Sequence, residues 1–421
     1  EREEGLGRAF NKEALRLFVT DCLEFSLEKE LSSLGQNGTL WREQGGLVHF
    51  QNEYTGLEFD NRKIAYGIRR ETSDPAELYP CDTATAGVCP YRFPDTKVGF
   101  GELQFPSIET YENDLAGFLK KEARACVEEW ITGEIYPGAQ VQEDEDVIGM
   151  DVAMTDTSIL IAARYPLTFV AAGEEYFHLF EFGLDYDSQL RQFLEAAIIY
   201  PMRWDRKYVD FKYEEDMFKP TFEYGCLSEA DGFCPHSTFA DRLSALGVRL
   251  EPPQRLNNGD TIFMFTVNKP SAIIKNQDVY PFTIARQNRP PALDYISKSP
   301  CPDTFDVRVV LDDLEARGED LVLPLYARDP DEDERLTYSL SGEIAEVTIA
   351  GVTIQESADG YQLAIPLQSL QQSLGLSSTV SVEVSDEYEA KDKQTVRFYI
   401  TQYPGERDCP GYTADSQGPF S

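Results

Sequence analysis

Ala327-Arg328-Asp329-Pro330-Asp331-Glu332-Asp333-Glu334-Arg335-Leu336-Thr337-Tyr338-Ser339-Leu340 decides how the C-terminal third of the chain is read. Proline among closely spaced acids cannot continue a strand and makes a solvated turn. The Leu-Thr-Tyr-Ser-Leu run that follows alternates apolar and polar side chains, which predicts a half-buried strand. Working outward, similar runs recur at Val307 to Leu311, Leu321 to Ala327, Glu346 to Ile349, Tyr361 to Ile365, Thr379 to Val384 and Thr395 to Ile400. This spacing predicts an all-β sandwich of about seven strands. Its start is marked by Asn288-Arg289-Pro290-Pro291, whose paired prolines predict a stiff, extended linker. The expected domain covers 288–403, followed by a tail, 404–421, tied down by Cys409.

A second stretch, Val382-Glu383-Val384-Ser385-Asp386-Glu387-Tyr388-Glu389-Ala390, closes the region. With the turn at 327–340 and the Asn-x-Pro-Pro opening, it resembles the cadherin-like, immunoglobulin-like sandwich repeats of prokaryotic surface proteins, whose signatures run A-x-D-P-D-G-D-x-L-T-Y-S-L and V-x-V-S-D-G-x-G-A. The resemblance implies a Greek-key sandwich and calcium at the repeat junction. Asp329, Asp331, Asp333 and Asp386 would then supply some of the six to eight oxygens that calcium takes. The chain departs from the pattern at Glu332 and Glu387, where the signatures carry glycine, and it lacks the D-x-N-D-N linker of animal cadherins. The same acids also suit a bare solvated turn, and both readings stand at this point.

Eight cysteines give the compartment. Cys81 to Cys89 and Cys226 to Cys234 each enclose seven residues, with Gly two positions before the second Cys and Pro after it. This is read as one disulfide-closed knuckle used twice. Zinc wants a tighter spacing and more ligands, and His236 near Cys234 does not complete a four-ligand site. Cys22 and Cys126 fall on the inner faces of two amphipathic helices and are expected to bond to each other. The pairs Cys81–Cys89, Cys226–Cys234 and Cys301–Cys409 complete the set. Four disulfides would place the protein outside the cytosol.

The N-terminal two thirds read as α+β in two regions: a helical, loop-rich, disulfide-stapled part (1–137) and an antiparallel-sheet part (138–287). Leu15, Phe18, Cys22, Phe25 and Leu31 define a helix from Asn11 to Leu34, ended by Gly35 and Asn37-Gly38. Tyr111, Leu115, Phe118, Leu119, Cys126 and Trp130 define another from Ser107 to Ile131. Between them, Leu40 to Lys97 reads as short strands and loops. Val147 to Met154, Ser158 to Tyr165 and Glu175 to Phe182 predict an antiparallel meander. A third helix is expected from Asp187 to Ile199, stopping at Pro201. Thr261 to Val267 and Tyr280 to Ala285 predict two more strands. Cys22-Leu23, Pro106-Ser107-Ile108-Glu109, Cys126 and Ala163-Arg164-Tyr165-Pro166-Leu167 together resemble uncharacterised membrane-anchored, exported proteins of small-genome archaea.

Seventy-four acids against 38 Lys and Arg give a formal charge of -36, which repels nucleic acid and anionic membrane surfaces. No run is long and apolar enough to span a bilayer, so an upstream leader or anchor is expected. Asn37-Gly38-Thr39 is a glycosylation sequon as well as a turn. His49, His178 and His236 are scattered, no nucleotide-binding, zinc-protease or serine-hydrolase motif occurs, and the acidic run at 143–146 reads as a solvated loop. The sequence therefore predicts a non-catalytic structural subunit of an extracellular surface assembly (layer, sheath or filament) that contacts copies of itself or other surface proteins. The alternatives are a monomeric anchored adhesion or ligand-binding ectodomain and an exported hydrolase built on a carboxylate pair.

Overall fold

The structure, a computed structural model, describes residues 12–40, 57–68, 107–133, 139–143, 149–171, 174–207, 212–217, 236–275, 277–289, 291–293, 296, 307–329, 331, 335–340, 349–358 and 360–402. They mix helices with several antiparallel sheets, in two compact units. The first unit includes 100–205 and 212–287 together with the N-terminal helix; residues on both sides of position 137 belong to it. The second takes in 288–421 together with 70–99 and 206–211.

In the first unit, helix α1 (Lys12–Asn37) buries Val19, Cys22, Leu23, Leu27, Leu31 and Leu34, a stripe with three- and four-residue spacing. Phe25, expected in this stripe, is 67% exposed, whereas Ser26 and Glu30 are buried. The cause is that α1 has neighbours on more than one side: a second helix, α2 (Ile108–Gly133), and strands of two sheets. Gly35 lies inside α1 and does not end it. A Cβ there would sit 2.3 Å from the carbonyl oxygen of Pro281, so its absence lets the helix lie against a strand. The helix ends at Gly38, whose φ of 74° is left-handed and whose N–H bonds the Leu34 carbonyl at 2.8 Å. Helix α2 starts where Ser107 Oγ accepts the N–H of Thr110 at 3.1 Å, and it buries Tyr111, Leu115, Phe118, Leu119, Ala123 and Val127.

Three short strands, β1 (Leu57–Phe59), β2 (Arg62–Ile64) and β3 (Tyr66–Ile68), precede α2 in the chain. After it come β4 (Ala139–Glu143), β5 (Gly149–Met154), β6 (Ser158–Ala171) and β7 (Glu174–Asp187), one antiparallel sheet. Strand β6 was expected to stop before Pro166, yet it runs 14 residues. Its register on β7 breaks between Arg164 and Leu167, so the proline falls in the irregularity. There β6 also changes partner, from β5 before the proline to β4 after it.

Helix α3 (Leu190–Phe193) passes through a π-helical turn (Leu194–Ile199) into α4 (Tyr200–Lys207), so Pro201 does not stop the helix as expected. Proline has no N–H for the carbonyl four residues back, Ala197. The widened turn absorbs the mismatch, and the Tyr213 hydroxyl, from α5 (Tyr213–Asp216), donates to that carbonyl instead. Helix α6 (His236–Leu246), which the sequence reading missed, leads into β8 (Val248–Leu250), β9 (Gln254–Arg255), β10 (Thr261–Val267) and β11 (Tyr280–Arg286). These join β3 in a five-stranded sheet. Phe193 from α3 meets Phe265, Tyr280 and Phe282 of this sheet edge-on, with centroids 5.2–6.3 Å apart.

The second unit contains β12 (Ala292–Leu293), β13 (Val307–Val310), β14 (Leu321–Leu325), β15 (Ala327–Arg328), β16 (Thr337–Leu340), β17 (Thr353–Ser357), β18 (Gly360–Ile365), β19 (Ser377–Ser385) and β20 (Lys391–Thr401). One sheet runs β13-β20-β19-β16, with β13 parallel to β20; another runs β14-β18-β17; β12 pairs with β15. Alternating residues of both larger sheets, such as Val380, Val382, Phe398 and Ile400 from one and Leu325, Leu363 and Ile365 from the other, share one apolar cluster. The rings of Tyr338 on β16 and Tyr361 on β18 lie 4.6 Å apart. Two helices were missed: α7 (Leu311–Arg317), which replaces the expected end of the first strand, and α8 (Leu367–Gln372). The strand expected from Glu346 lies outside the described residues up to 348; Ile349 is in a bend, and the strand in this region is β17.

Candidate functional site

Three of the acids singled out in the sequence, Asp329, Asp331 and Asp386, come together in the second unit, around Asn288 and Arg289. Asn288, Arg289 and Leu293, with residue 296 beyond them, do not form a free spacer. Asn288 Nδ2 donates to Asp386 Oδ2 at 2.6 Å, Leu293 N to Asp392 Oδ2 at 2.7 Å and Ile296 N to Gln394 Oε1 at 3.0 Å. Arg289 gives Asp331 three N–H groups: its backbone N to Oδ2 at 2.9 Å, and Nε and Nη2 to Oδ1 at 2.9 and 2.7 Å. Both side chains are buried, 5% and 3% exposed, so solvent hardly screens the pair.

Local chain chemistry positions each carboxylate. Asp331 N donates to Asp329 Oδ1 at 2.7 Å, which closes the Asp-Pro-Asp turn. Asp386 Oδ1 accepts the N–H groups of Tyr388 and Ala390 at 2.8 and 2.7 Å, and its own N–H bonds the Ala390 carbonyl. This fastens the tight link from β19 to β20. Asp329 Oδ2 is different: it is buried and accepts no hydrogen bond from the described residues. Burial pushes the Asp329 carboxyl up to about 6, with Asp331 and Asp386 adding to the rise; the Asp331 N–H and Arg289 oppose it.

Calcium, which the resemblance implies here, needs six to eight oxygens. Asp331 is engaged on both oxygens by Arg289, and Asp386 by Asn288 and two backbone N–H groups. Only Asp329 Oδ2 offers a bare buried oxygen among these three acids. Among the described residues no group of three or more His, Cys, Asp or Glu is arranged to hold a metal ion. The described residues therefore do not fit calcium. Asp333 lies outside them. The sequence reading named the acids but missed Arg289 and Asn288, which it took for linker. The signal available was a basic residue beside the domain opening, opposite a turn with an excess of acid.

Cys22 of α1 and Cys126 of α2 are joined, with Cα atoms 5.9 Å apart. The helices run antiparallel: Lys29 meets Glu122, and the Tyr111 hydroxyl donates to the Gly38 carbonyl. Cys81, Cys89, Cys226, Cys234, Cys301 and Cys409 lie outside the described residues. Asn37 is half-buried at the end of α1. Its Nδ2, where a glycan would attach, donates to the Ser33 carbonyl at 3.0 Å. No helix among the described residues is long and apolar enough to cross a membrane.

No known protein family matches the chain, and no curated protein matches its sequence. Among solved structures, it is similar to the crystal structure of the human desmocollin-1 ectodomain at 13% identity and a TM-score of 0.18. That similarity covers 36% of this chain, which spans a quarter (25%) of the ectodomain's length.

Proposed function

We propose that this chain is a non-catalytic structural subunit of an extracellular surface assembly, and that its second unit is an immunoglobulin-like, cadherin-like sandwich. The observation that carries the reading is the Cys22–Cys126 bond, which fastens two helices separated by 104 residues in sequence. Such bonds persist in oxidising compartments and are rare in the cytosol. The sandwich reading is supported by two sheets that share one apolar cluster. Strands β16 and β17 are mostly exposed, and each lies at the end of its sheet among the described residues. Open strand edges are templates on which a neighbouring copy docks main chain to main chain.

The charge of -36 favours a second reading, a monomeric ectodomain, because like-charged copies repel. The two readings respond oppositely to salt. Screening shortens the reach of surface charge to about 10 Å at 0.1 M ionic strength. Sedimentation velocity and negative-stain electron microscopy of the oxidised protein across a salt series should show ordered polymers emerging as salt rises. Single particles at every salt and protein concentration would favour the monomer.

A further inference from the structure

Asp331 and Asp386 lie close enough to Asp329 to raise its proton affinity, and the Asp331 side chain and Asp386 are buried. Buried like charges must be offset by a cation, by hydrogen-bond donors or by taking up a proton. The guanidinium of Arg289 supplies the cation: it is nearly buried and forked onto Asp331, while its own N–H closes the second oxygen of the same carboxylate. A divalent ion would have to displace that fork before it reached Asp331.

We infer that Arg289 is the resident cation of this end of the second unit, so that the opening segment is locked onto the acidic turns by the protein's own guanidinium and needs no calcium. An arginine side chain stays charged at any pH the protein meets, and its planar fork fits a carboxylate in two places, so the lock is permanent and directional. A lysine would supply charge without the fork. This inference holds or fails whether or not the chain assembles.

The test is amide hydrogen exchange on the whole oxidised chain, in excess calcium and in chelator, read in peptides covering 288–293 and 385–393. These contain the Arg289, Leu293, Tyr388 and Ala390 amides that bond Asp331, Asp392 and Asp386. Wild-type exchange should be the same in both buffers. Arg289→Met should speed exchange in these peptides by about a hundredfold or more, the penalty for leaving one partner of a buried pair. Arg289→Lys should fall between the two. Slower wild-type exchange in calcium than in chelator overturns the inference, as does an unchanged Arg289→Met. If Arg289→Met does not fold, the wild-type comparison and Arg289→Lys still decide.

Discussion

Arg286 and Arg289, three residues apart in sequence, each close a different unit, and their surroundings are opposite. Arg286 Nη1 reaches both oxygens of Asp205, at 2.9 and 3.2 Å, in an aromatic setting, with its guanidinium 5.2 Å from the centre of the Phe263 ring. Asp205 is fully buried and Arg286 nearly so, at 0% and 9% exposure. Arg289 answers several acids. Arg286 pairs with Asp205 beside an aromatic ring, whereas Arg289 forks onto Asp331 and also offsets the charge at Asp329. The first unit also has a covalent staple, whereas the described end of the second is closed by ions and hydrogen bonds. Each perturbation below should therefore strike one unit and spare the other.

The largest effect should come from the staple. Replacing Cys22 and Cys126 by Ser releases a loop of over a hundred residues in the unfolded chain and should destabilise the first unit by about 4 kcal/mol. Urea unfolding followed by hydrogen exchange would show the 107–133 peptides losing protection while those covering 377–402 keep theirs. Equal loss in both units would break the comparison.

Next in size is Arg286→Met, which leaves Asp205 buried without its guanidinium. It should cost the first unit about 3 kcal/mol. The double variant Asp205→Leu with Arg286→Met should recover most of that loss, because apolar groups suit a pocket beside Phe263. The analogous pair replacement at Asp331 and Arg289 should not recover, because Asp329 and Asp386 remain. Denaturation midpoints of these three variants and of Arg289→Met, read separately for each unit, check this contrast.

The units should also part company with pH. Asp329 holds its proton more tightly folded than unfolded, with a carboxyl raised from 3.8 to about 6 by burial. The folded state thus binds more protons across that window. Its contribution to stability is whole below about pH 4 and lost as pH rises through about 6. In the first unit, burial raises the Glu30 carboxyl from 4.5 to about 8; Glu122 adds to the rise, while Lys29 and Lys121 oppose it. Its contribution is lost as pH rises through about 8. Asp329→Asn should flatten the pH dependence of the second unit between 4 and 6 alone, and Glu30→Gln that of the first between 4.5 and 8. Proton-linked unfolding curves would show which unit each variant affects.

These contrasts separate what could be read along the chain from what could not. Period-two alternation carried β19 and β20, and inner-face spacing carried α2 and the Cys22–Cys126 pair, because such signals are local or lie on one stripe. Pro166 and Pro201 misled because the repairs come from elsewhere: a register break against β7 for one, and for the other a widened turn with the Tyr213 hydroxyl. Phe25 misled because α1 is covered on several sides, so its buried set includes Ser26 and Glu30. At the acidic end the acids were legible as a motif. The cation was not, since Arg289 finds Asp331 across 42 residues and Asn288 finds Asp386 across 98.

The smallest predicted effect lies in the link the Asp386 carboxylate ties. Glu387 and Glu389 both lie in this link, but only Glu389 has a left-handed backbone, with φ of 63°. Asp386 imposes that conformation by accepting N–H groups on either side of it, from Tyr388 and Ala390. A side chain in this region costs about 1–2 kcal/mol, which glycine avoids. Glycine gives back part of that gain through a freer unfolded chain, by about 0.4–1 kcal/mol. Glu389→Gly should therefore stabilise the second unit by about 0.5 kcal/mol, while Glu387→Gly, which relieves nothing, should be neutral or slightly destabilising. If thermal denaturation ranks the two variants the other way, the link is not held by Asp386 in the folded protein, and the acidic end loses the anchor that its contrast with the first unit requires.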